Sequence, residues 1–401
     1  MAAQKAIMEL SELGKISISM AEAVRPLKER KIIRELEDSL SRHPRIKVLR
    51  GLRGVGKTTL MLQLLNKTPK GIYLSADWPI IEADGIYASG KAALEAGYTH
   101  LFIDEVHTYP KWEEEMKALH DQFTSAFFFC SGSAAVAFSP DRRQKIFDID
   151  PMSFGEFLDV GFGMSVEAPE GAWKSEKESV AIVAKHYPAI EERFSAYMES
   201  GGFPFSFKMA SHDALNSIFY SINKSIRQDS VSFLKLSSEK VFAMEKLVFF
   251  LATSPPGELS ITSLSSSLGV SKTTVYEIID ALVRMKMMRL IRPHAKGSGL
   301  VRAEPKLLFT HPNIRAAVCH VLKKEWPKGS RREEAALFGL GLRGWSLHTI
   351  KGAKSSPDYQ IERGAEMHTV EVGGPSKSFS QLRGFEKPIL IKDDQLKVLL
   401  L

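Results

Sequence analysis

An eight-residue stretch of the chain has the composition and spacing of a phosphate-binding loop. It fits the pattern G-x-x-x-x-G-K-[ST] at every required position, as Gly51-Leu52-Arg53-Gly54-Val55-Gly56-Lys57-Thr58. Glycines allow backbone N–H groups to turn toward phosphates, the lysine reaches the β and γ oxygens, and the hydroxyl binds Mg²⁺. We expect a nucleoside triphosphate to contact Gly51, Arg53, Gly54, Val55, Gly56, Lys57, Thr58 and Thr59.

Two acids follow an apolar run farther along the chain. His100-Leu101-Phe102-Ile103 leads into Asp104 and Glu105. A buried parallel strand delivers its C-terminal end to a nucleotide crevice. We therefore expect Asp104 to hold Mg²⁺ with Thr58, and Glu105 to polarise the attacking water. By itself such a pair would indicate only a strand entering a solvated turn, but its combination with the loop favours hydrolysis.

Hydroxyl side chains follow the next apolar run, residues 126–130. Ser131 or Ser133, in Ser131-Gly132-Ser133, could contact the γ-phosphate or the water, and both are candidate catalytic residues. The alternative is an ordinary Gly/Ser turn.

A parallel sheet is needed to bring these side chains together. Residues 46–49 predict a short buried strand that enters the loop, and residues 59–65 predict a helix that leaves it with its N-terminus toward the phosphates. We expect an α/β fold built on a P-loop core.

This succession of motifs resembles a prokaryotic, archaeal and bacterial, AAA+-type ATPase family. In that family the ATPase core is joined to a winged helix and a PD-(D/E)xK nuclease-like domain, in a DUF4143-like C-terminal region. The resemblance is strongest before about residue 205. It rests on residues 51–59, residues 101–106 with Tyr109-Pro110-Lys111-Trp112, residues 130–133, residues 150–158 and Gly201-Gly202-Phe203-Pro204.

The resemblance implies ATP and Mg²⁺ as ligands, assembly into a homo-oligomer such as a hexamer, and an arginine that reaches the γ-phosphate of a neighbouring subunit. Arg142 and Arg143 occupy the place of that arginine. Where the family has Gly-Arg, this chain has Asp141-Arg142-Arg143, so either arginine is a candidate. The alternative is a solvated basic turn.

Composition agrees with a multidomain cytoplasmic protein. A chain of 401 residues exceeds one compact core, and 44% hydrophobic residues suffice for ordinary cores. The sequence contains no apolar run of bilayer length, so we expect no membrane partner. Cys130 and Cys319 have no C-x-x-C partner and are expected to be buried thiols rather than a disulfide or zinc site.

A second motif and the net charge of +7 point toward DNA. In a segment that starts at Leu259, the residues Leu264, Leu268 and Val270 have helical apolar spacing, and Gly269 predicts a turn. Residues 271–282 begin with a capping serine and repeat apolar residues with a helical period, and residues 287–292 could form a wing strand. The start of the second helix and its flank would contact DNA through Ser271, Lys272, Thr273, Thr274, Arg289 and Arg292. The alternative is an interaction module that packs on the ATPase core.

The C-terminal region resembles a nuclease hairpin with one departure. Asp358 and Glu371 match its two carboxylates, but Gly373 stands where the family has lysine, and Lys377 is the nearest basic residue. We therefore expect a degenerate nuclease fold. The predicted domains are a P-loop ATPase core at 1–165, a helical lid at 166–235, a winged helix at 236–300 and a small α/β restriction-endonuclease-like domain at 301–401.

The leading functional hypothesis is an oligomeric, Mg²⁺-dependent ATPase coupled to DNA binding or remodelling, including translocation or branch migration. One alternative is an ATP-gated switch that turns over slowly and regulates a protein partner or a DNA site. Another is an ATP-dependent nuclease, which Gly373 disfavours. The preference for ATP over GTP rests on the resemblance alone.

Overall fold

The structure is a computed structural model that describes residues 2–40, 45–133, 143–232, 234–255, 257, 260–294, 305–350 and 357–401, with side chains from residue 10 onward. The chain divides into two compact units, Met1–Asp150 and Pro151–Leu401. Residues 151–165 therefore fold with the second unit. The division into four domains stays a prediction.

A parallel five-stranded sheet forms the centre of the first unit. Its strand order is β2-β3-β4-β1-β5, so β1, which leads into the loop, lies between β4 and β5. The expected strands before the loop and before the two acids are confirmed. The bounds are β1 Ile46–Gly51, β2 Gly71–Ser75, β3 His100–Asp104, β4 Phe127–Ser133 and β5 Gln144–Ile149.

Helices cover this sheet, and its central strands are buried accordingly. All residues of β3 after His100 are buried, as expected of a parallel strand covered on both faces. The helix after the loop begins at Lys57, two residues before the expected start. The helices of the first unit are α1 Ala2–Val24, α2 Ile33–Asp38, α3 Lys57–Leu65, α4 Pro79–Asp84, α5 Ile86–Glu95 and α6 Trp112–Gln122.

The second unit begins with helices that Gly201 and Gly202 interrupt. A Cβ at Gly202 would lie 2.5 Å from the His311 ring, so this position requires glycine for close approach. The Asn313 side chain accepts a hydrogen bond from the Gly202 N–H at 2.7 Å, which fixes the interruption. The helices here are α7 Phe154–Phe162, α8 Glu176–Lys185, α9 Ala189–Ala196, α10 Ser211–Lys224, α11 Ser230–Ser232 and α12 Ser238–Thr253.

Two helices and two strands follow in the region of the second motif. The helices α13 (Ile261–Leu268) and α14 (Lys272–Arg284) are joined at Gly269, whose φ of 69° suits glycine. Ser271 caps α14, because its hydroxyl accepts from the Thr274 N–H. Strand β6 (Met288–Ile291) pairs antiparallel with β7 (Lys306–Phe309).

A four-stranded sheet with the order β11-β10-β9-β8 ends the chain. Its strands pack with helices in one apolar core that contains Phe338, Tyr359 and Leu399. The bounds are α15 Pro312–Val321, α16 Lys328–Leu342, β8 Ser346–Thr349, β9 Tyr359–Arg363, β10 Glu366–Val372, β11 Pro388–Ile391 and α17 Asp393–Leu400.

The environment of the two cysteines agrees with the prediction from the sequence. Cys130 and Cys319 are both buried free thiols, as expected. Throughout the described part of the chain, every helix is too short or too polar to cross a bilayer.

Candidate nucleotide site

The phosphate-binding loop turns sharply between β1 and α3. Gly54 and Gly56 have φ values of 84° and 94°, in the left-handed region that glycine adopts without strain. A Cβ at Gly51 would lie 2.2 Å from the carbonyl oxygen of Ile149 in β5. The glycines are therefore needed for both the turn of the loop and its close contact with the neighbouring strand.

Lys57 is buried within this loop. Its Nζ donates hydrogen bonds of 3.0 Å to the carbonyl oxygens of Gly51 and Leu52. The ammonium group thus lies inside the curve of the loop, at the N-terminus of α3, where phosphate oxygens can exchange with the carbonyl groups as its partners.

Asp104, at the end of β3, is the point where several predicted residues meet. Its Oδ2 accepts hydrogen bonds from the Thr58 hydroxyl at 2.5 Å and from the Tyr73 hydroxyl at 2.8 Å. Its Oδ1 accepts from the Ser131 hydroxyl and, at 3.0 Å, from the Glu105 N–H. The structure therefore brings Thr58, Asp104, Glu105 and Ser131 together, and the roles expected of them stay predictions.

This set of atoms fits Mg²⁺ and a triphosphate. The Thr58 hydroxyl and the Asp104 carboxylate are hard oxygen donors on adjacent elements, the type that Mg²⁺ prefers. The glycine turn and the N-terminus of α3 supply N–H groups for phosphate oxygens. Thr58 and Asp104 would hold the cation, which supplies charge neutralisation for phosphoryl transfer, while Lys57 would hold the phosphates.

Glu105, the residue after β3, has an unusual backbone conformation. Its φ of 50° and ψ of 34° place a non-glycine residue in the left-handed region. One Glu105 oxygen, Oε2, lies 3.2 Å from Nε2 of His107 and 3.8 Å from Nη1 of Arg53. The carboxylate therefore faces a P-loop arginine and a histidine of its own turn.

Two residues of the site were missed by the sequence interpretation. Tyr73 reaches Asp104 from β2, and burial, followed by the nearby Asp104 charge, raises the pKa of its hydroxyl so that it remains a proton donor. His107 is buried and accepts a hydrogen bond from the Ser133 N–H at Nδ1, at 3.4 Å. The only sequence signal for His107 was its position two residues after Glu105.

Arg142 and Arg143 are the two candidates for the arginine that reaches a neighbouring subunit's γ-phosphate, called the arginine finger. Neither is part of this cluster. Arg142 lies outside the described residues. Arg143 precedes β5 at the end of the sheet opposite the loop, because Ile46 is paired with Gln144 and Gly51 with Ile149. The Arg143 Nε lies 3.3 Å from an Asp121 carboxylate oxygen. Contact between Arg143 and a γ-phosphate would therefore have to involve a second subunit.

The DNA-binding candidates lie in two different environments. Ser271, Lys272 and Thr273 are exposed at the start of α14, and Arg292 is exposed after β6. Arg289 is partly buried, and its guanidinium donates to the Leu337 carbonyl oxygen in α16. Thr274 bonds with the capping Ser271 hydroxyl. Arg289 is therefore engaged in packing within its own unit.

The carboxylates of the nuclease-like hairpin have local partners. Asp358 Oδ2 accepts from the Val372 N–H, and Glu371 Oε2 accepts from the Asp358 N–H, each at 3.0 Å. Lys377 Nζ lies 2.5 Å from Glu371 Oε1. Burial and the charge of Glu333 raise the pKa of Asp358 to about 6. Within the described ranges, no group of three His, Cys, Asp or Glu side chains is arranged to hold a metal ion.

Comparison with known families supports an ATPase core. Residues 43–158 match the family described as an AAA domain. Residues 191–325 match a domain of unknown function, DUF8612. A Methanocaldococcus jannaschii protein, itself described as uncharacterized, is 28% identical over 387 residues, which cover 88% of this chain and 81% of that protein. The winged helix and the nuclease-like domain stay predictions.

Solved structures with partial similarity include a signal transduction ATPase and DnaA. A signal transduction ATPase with numerous domains and a tetratricopeptide repeat sensor, from Pyrococcus horikoshii, is 12% identical with a TM-score of 0.31; the match covers 79% of this chain and 45% of that one. DnaA from Aquifex aeolicus, bound to AMPPCP, is 13% identical with a TM-score of 0.26; the match covers 64% and 87%.

Proposed function

We propose that the protein is a Mg²⁺-dependent ATPase that acts as a homo-oligomer and couples hydrolysis to DNA binding or remodelling. The observation that carries the hydrolysis part is the convergence on Asp104 of the Thr58 and Ser131 hydroxyls and the Glu105 N–H. This cluster lies beside a glycine-rich loop that encloses Lys57. It combines a metal-binding pair, a phosphate-binding lysine and an acid that can orient water.

Each residue has one role in this proposal. Lys57 and the loop N–H groups bind the phosphates, and Thr58 with Asp104 binds the cation. Glu105 orients and accepts a proton from the attacking water. Ser131 holds the Asp104 carboxylate, and in this proposal the hydroxyl of Ser131 or Ser133 contacts the γ-phosphate or the attacking water.

DNA coupling is supported by the exposed polar start of α14. Ser271, Lys272 and Thr273 are exposed there, on a helix that follows a glycine turn, and the chain has a net charge of +7. Such a helix start can contact phosphates or base edges. In this proposal residues 236–300 act as the winged helix, residues 166–235 as the lid, and residues 301–401 as a non-cutting nuclease-like domain.

The deciding experiment is a set of ATPase rates measured with Mg²⁺ and no polymer, or with single-stranded, duplex, forked or four-way DNA, or with RNA. We expect basal hydrolysis that Lys57→Ala abolishes and that DNA stimulates. Nucleotide binding with almost no turnover on any polymer would instead favour the ATP-gated switch. No ATP binding by wild-type protein would overturn the proposal.

A further inference from the structure

A cleft with a volume of about 320 Å³ lies within the second unit. Its walls come from α9, from the first half of α16 and from the first half of α17. One water molecule takes up about 30 Å³ in the liquid, and small-molecule pockets begin at about 300 Å³. The cleft is therefore large enough for a small organic ligand, and all of its lining residues belong to the second unit.

The cleft is lined by more basic side chains than acidic ones. The four cations and two acids are Lys328, Arg331, Arg332, Lys397, Glu191 and Asp393. Lys328, Arg331 and Arg332 share one face of α16, because they stand at positions i, i+3 and i+4 of the helix. Four cations against two acids leave a surplus of two positive charges on the lining.

Both acids of the lining already have a cation. The Arg332 Nε lies 2.6 Å from one Asp393 oxygen, and its Nη2 lies 3.3 Å from the other. The buried Lys397 pairs with Glu191 and, at 2.9 Å, with Asp394. The surplus charge of the cleft is therefore carried by Lys328 and Arg331.

Arg331 is held in place by a ring rather than by a carboxylate. Its Cζ lies 4.3 Å from the centroid of the Trp326 ring. Across the described ranges, no acid forms an ion pair with Arg331 or Lys328. Burial lowers the pKa of Arg331, and the charge of Arg332 lowers it further, against the opposing charge of Glu199. Arg331 is thus a partly buried cation whose planar donors are free for an anion.

An apolar surface lies beside these cations. Met198 and Leu396 are buried in it, and Phe194 is half-buried. An edge-to-face contact with Phe154, at 5.1 Å between ring centroids, holds the Phe194 ring. The cleft therefore offers a cationic part and an aromatic part side by side.

We propose that this cleft binds a nucleoside monophosphate, with its phosphate on Arg331 and Lys328 and its base against Phe194 and Met198. A phosphate monoester carries about −1.5 to −2 charges at neutral pH, which matches the surplus of two. A guanidinium fork fits phosphate oxygens, and an aromatic ring can stack on a base. The site goes beyond the proposed ATPase function, because it is a second ligand site and requires no hydrolysis.

The two parts of the cleft exclude simpler occupants. Inorganic phosphate would leave the apolar surface empty, and a sugar phosphate would place hydroxyl groups against it. A nucleoside without phosphate would leave Arg331 and Lys328 without an anion. The ligand must therefore combine a phosphate with a flat apolar body.

Calorimetric titration of the full chain tests this ligand class. The Lys57→Ala background removes phosphate binding at the loop, and the probes are AMP, ribose 5-phosphate, inorganic phosphate and adenosine. We expect AMP to bind at least about tenfold more tightly than each of the other three, because only AMP uses both parts of the cleft. No binding of AMP at millimolar concentration, or AMP affinity equal to that of any other probe, would overturn the inference.

Matched double variants locate the binding. In the same background, Lys328→Gln/Arg331→Gln should weaken AMP binding by at least about tenfold, because the phosphate loses both cations. Lys177→Gln/Lys185→Gln removes two exposed charges of α8 outside the cleft and should change AMP affinity by less than about twofold. Equal affinities in the two double variants would overturn the inference. Phe194→Leu should bring AMP affinity close to that of ribose 5-phosphate.

NMR of methionine methyl groups tests the site without changing a cation. In Lys57→Ala protein labelled with methyl-¹³C methionine, AMP should shift the Met198 signal, which Met198→Leu identifies. An unchanged Met198 signal, or a shift confined to Met61 in the helix after the phosphate loop, would overturn the inference even if the double variant fails to fold. The expected Met198 shift in a protein whose wild type hydrolyses no ATP would contradict the proposed function alone.

Discussion

The Thr58 hydroxyl donates a 2.5 Å hydrogen bond to Oδ2 of Asp104. Thr58 lies on the helix after the loop and Asp104 at the end of β3, and β4 separates β3 from β1 in the sheet. The fold therefore brings together two oxygen atoms from motifs that are distant in the sequence. The pair is the type of oxygen donor set that Mg²⁺ prefers.

Glu105→Gln should bind ATP with nearly wild-type affinity and turn over at least about 10²-fold more slowly, because the amide cannot accept the water proton. Lys57→Ala should lose binding as well, since its ammonium group lies inside the phosphate loop. Equilibrium binding of a labelled ATP analogue and steady-state ATPase rates check both. Equal turnover in Glu105→Gln and wild type would remove Glu105 from the mechanism.

Arg142→Ala and Arg143→Ala test action between subunits. The variant that lacks the arginine finger should bind ATP with nearly wild-type affinity, and its ATPase turnover should fall by about 10³-fold or more. Because Arg143 lies at the end of the sheet away from its own loop, adding Glu105→Gln protein to wild type should inhibit more than in proportion to its fraction. Proportional activity, together with sedimentation as a monomer in ATP, would exclude a finger in trans.

Lys272→Glu/Arg292→Glu should weaken DNA binding by at least about tenfold and reduce its salt dependence, because fewer counterions are released. Basal ATPase activity should not change. Lys177→Glu/Lys185→Glu, at exposed positions of α8, carries the same charge change and serves as the control. Fluorescence anisotropy at several salt concentrations measures this. Equal binding by both double variants would show that α14 is not the DNA contact.

Arg289→Ala provides a contrast in the same region. Because its guanidinium donates to the Leu337 carbonyl oxygen, its loss should lower the free energy of unfolding by roughly 1–3 kcal/mol. Denaturant unfolding measures that change. A loss of DNA affinity equal to that of Lys272→Glu/Arg292→Glu, with stability unchanged, would contradict the packing role.

The C-terminal domain should not cut linear, supercoiled or branched DNA with Mg²⁺ or Mn²⁺. Asp358 and Glu371 accept hydrogen bonds from the protein itself, and Lys377 contacts Glu371, so these groups already have partners. Gel assays of purified protein check this, and Asp358→Ala/Glu371→Ala should keep near-normal ATPase activity. If the wild-type protein nicks DNA and the double variant does not, the domain is a nuclease. Lys377→Met would then test whether Lys377 is its basic group.

The second unit should become less stable as the pH falls below neutral, because the buried His311 ring resists protonation. Burial lowers its pKa to about 3, so the neutral ring is favoured in the fold while the unfolded chain takes up a proton near pH 6.5. This contribution is complete above pH 6.5 and is lost as the pH falls toward 3, at about 1.4 kcal/mol per pH unit. His311→Gln should be less stable at pH 7 but should lack this slope. Urea unfolding at pH 7 and 4.5 compares them, and equal slopes would exclude His311.

Local sequence patterns predicted much of the nucleotide site. The glycine spacing of the loop and the apolar run before Asp104 are short-range signals, because each reflects a backbone turn or a buried strand. The sequence placed Ser131 at the same edge of the sheet as Asp104, but the hydrogen bond between them is seen only in the structure. The helices on either side of Gly269 were predicted in the same way from their apolar period, and the second also from its capping Ser271.

The missed features depend on contacts between distant parts of the chain or on unusual backbone. Tyr73 reaches Asp104 only because β2 pairs with β3 so that Ser75 lies opposite Asp104. His107 reaches Glu105 because of a left-handed residue that no propensity predicts. The packing of Arg289 against α16 joins residues far apart in sequence, which periodicity cannot reveal.

The rigid fork of one arginine gives the loop a mechanical connection to the end of its unit. Arg30 donates 2.9 and 3.0 Å hydrogen bonds to the carbonyl oxygens of Val55, in the loop, and Asp150, where the first unit ends. Because a planar guanidinium holds its two arms at a fixed spacing, it ties the Val55 peptide to the Asp150 peptide. The last residue of the first unit is thus joined to the loop by a single side chain as well as by the sheet.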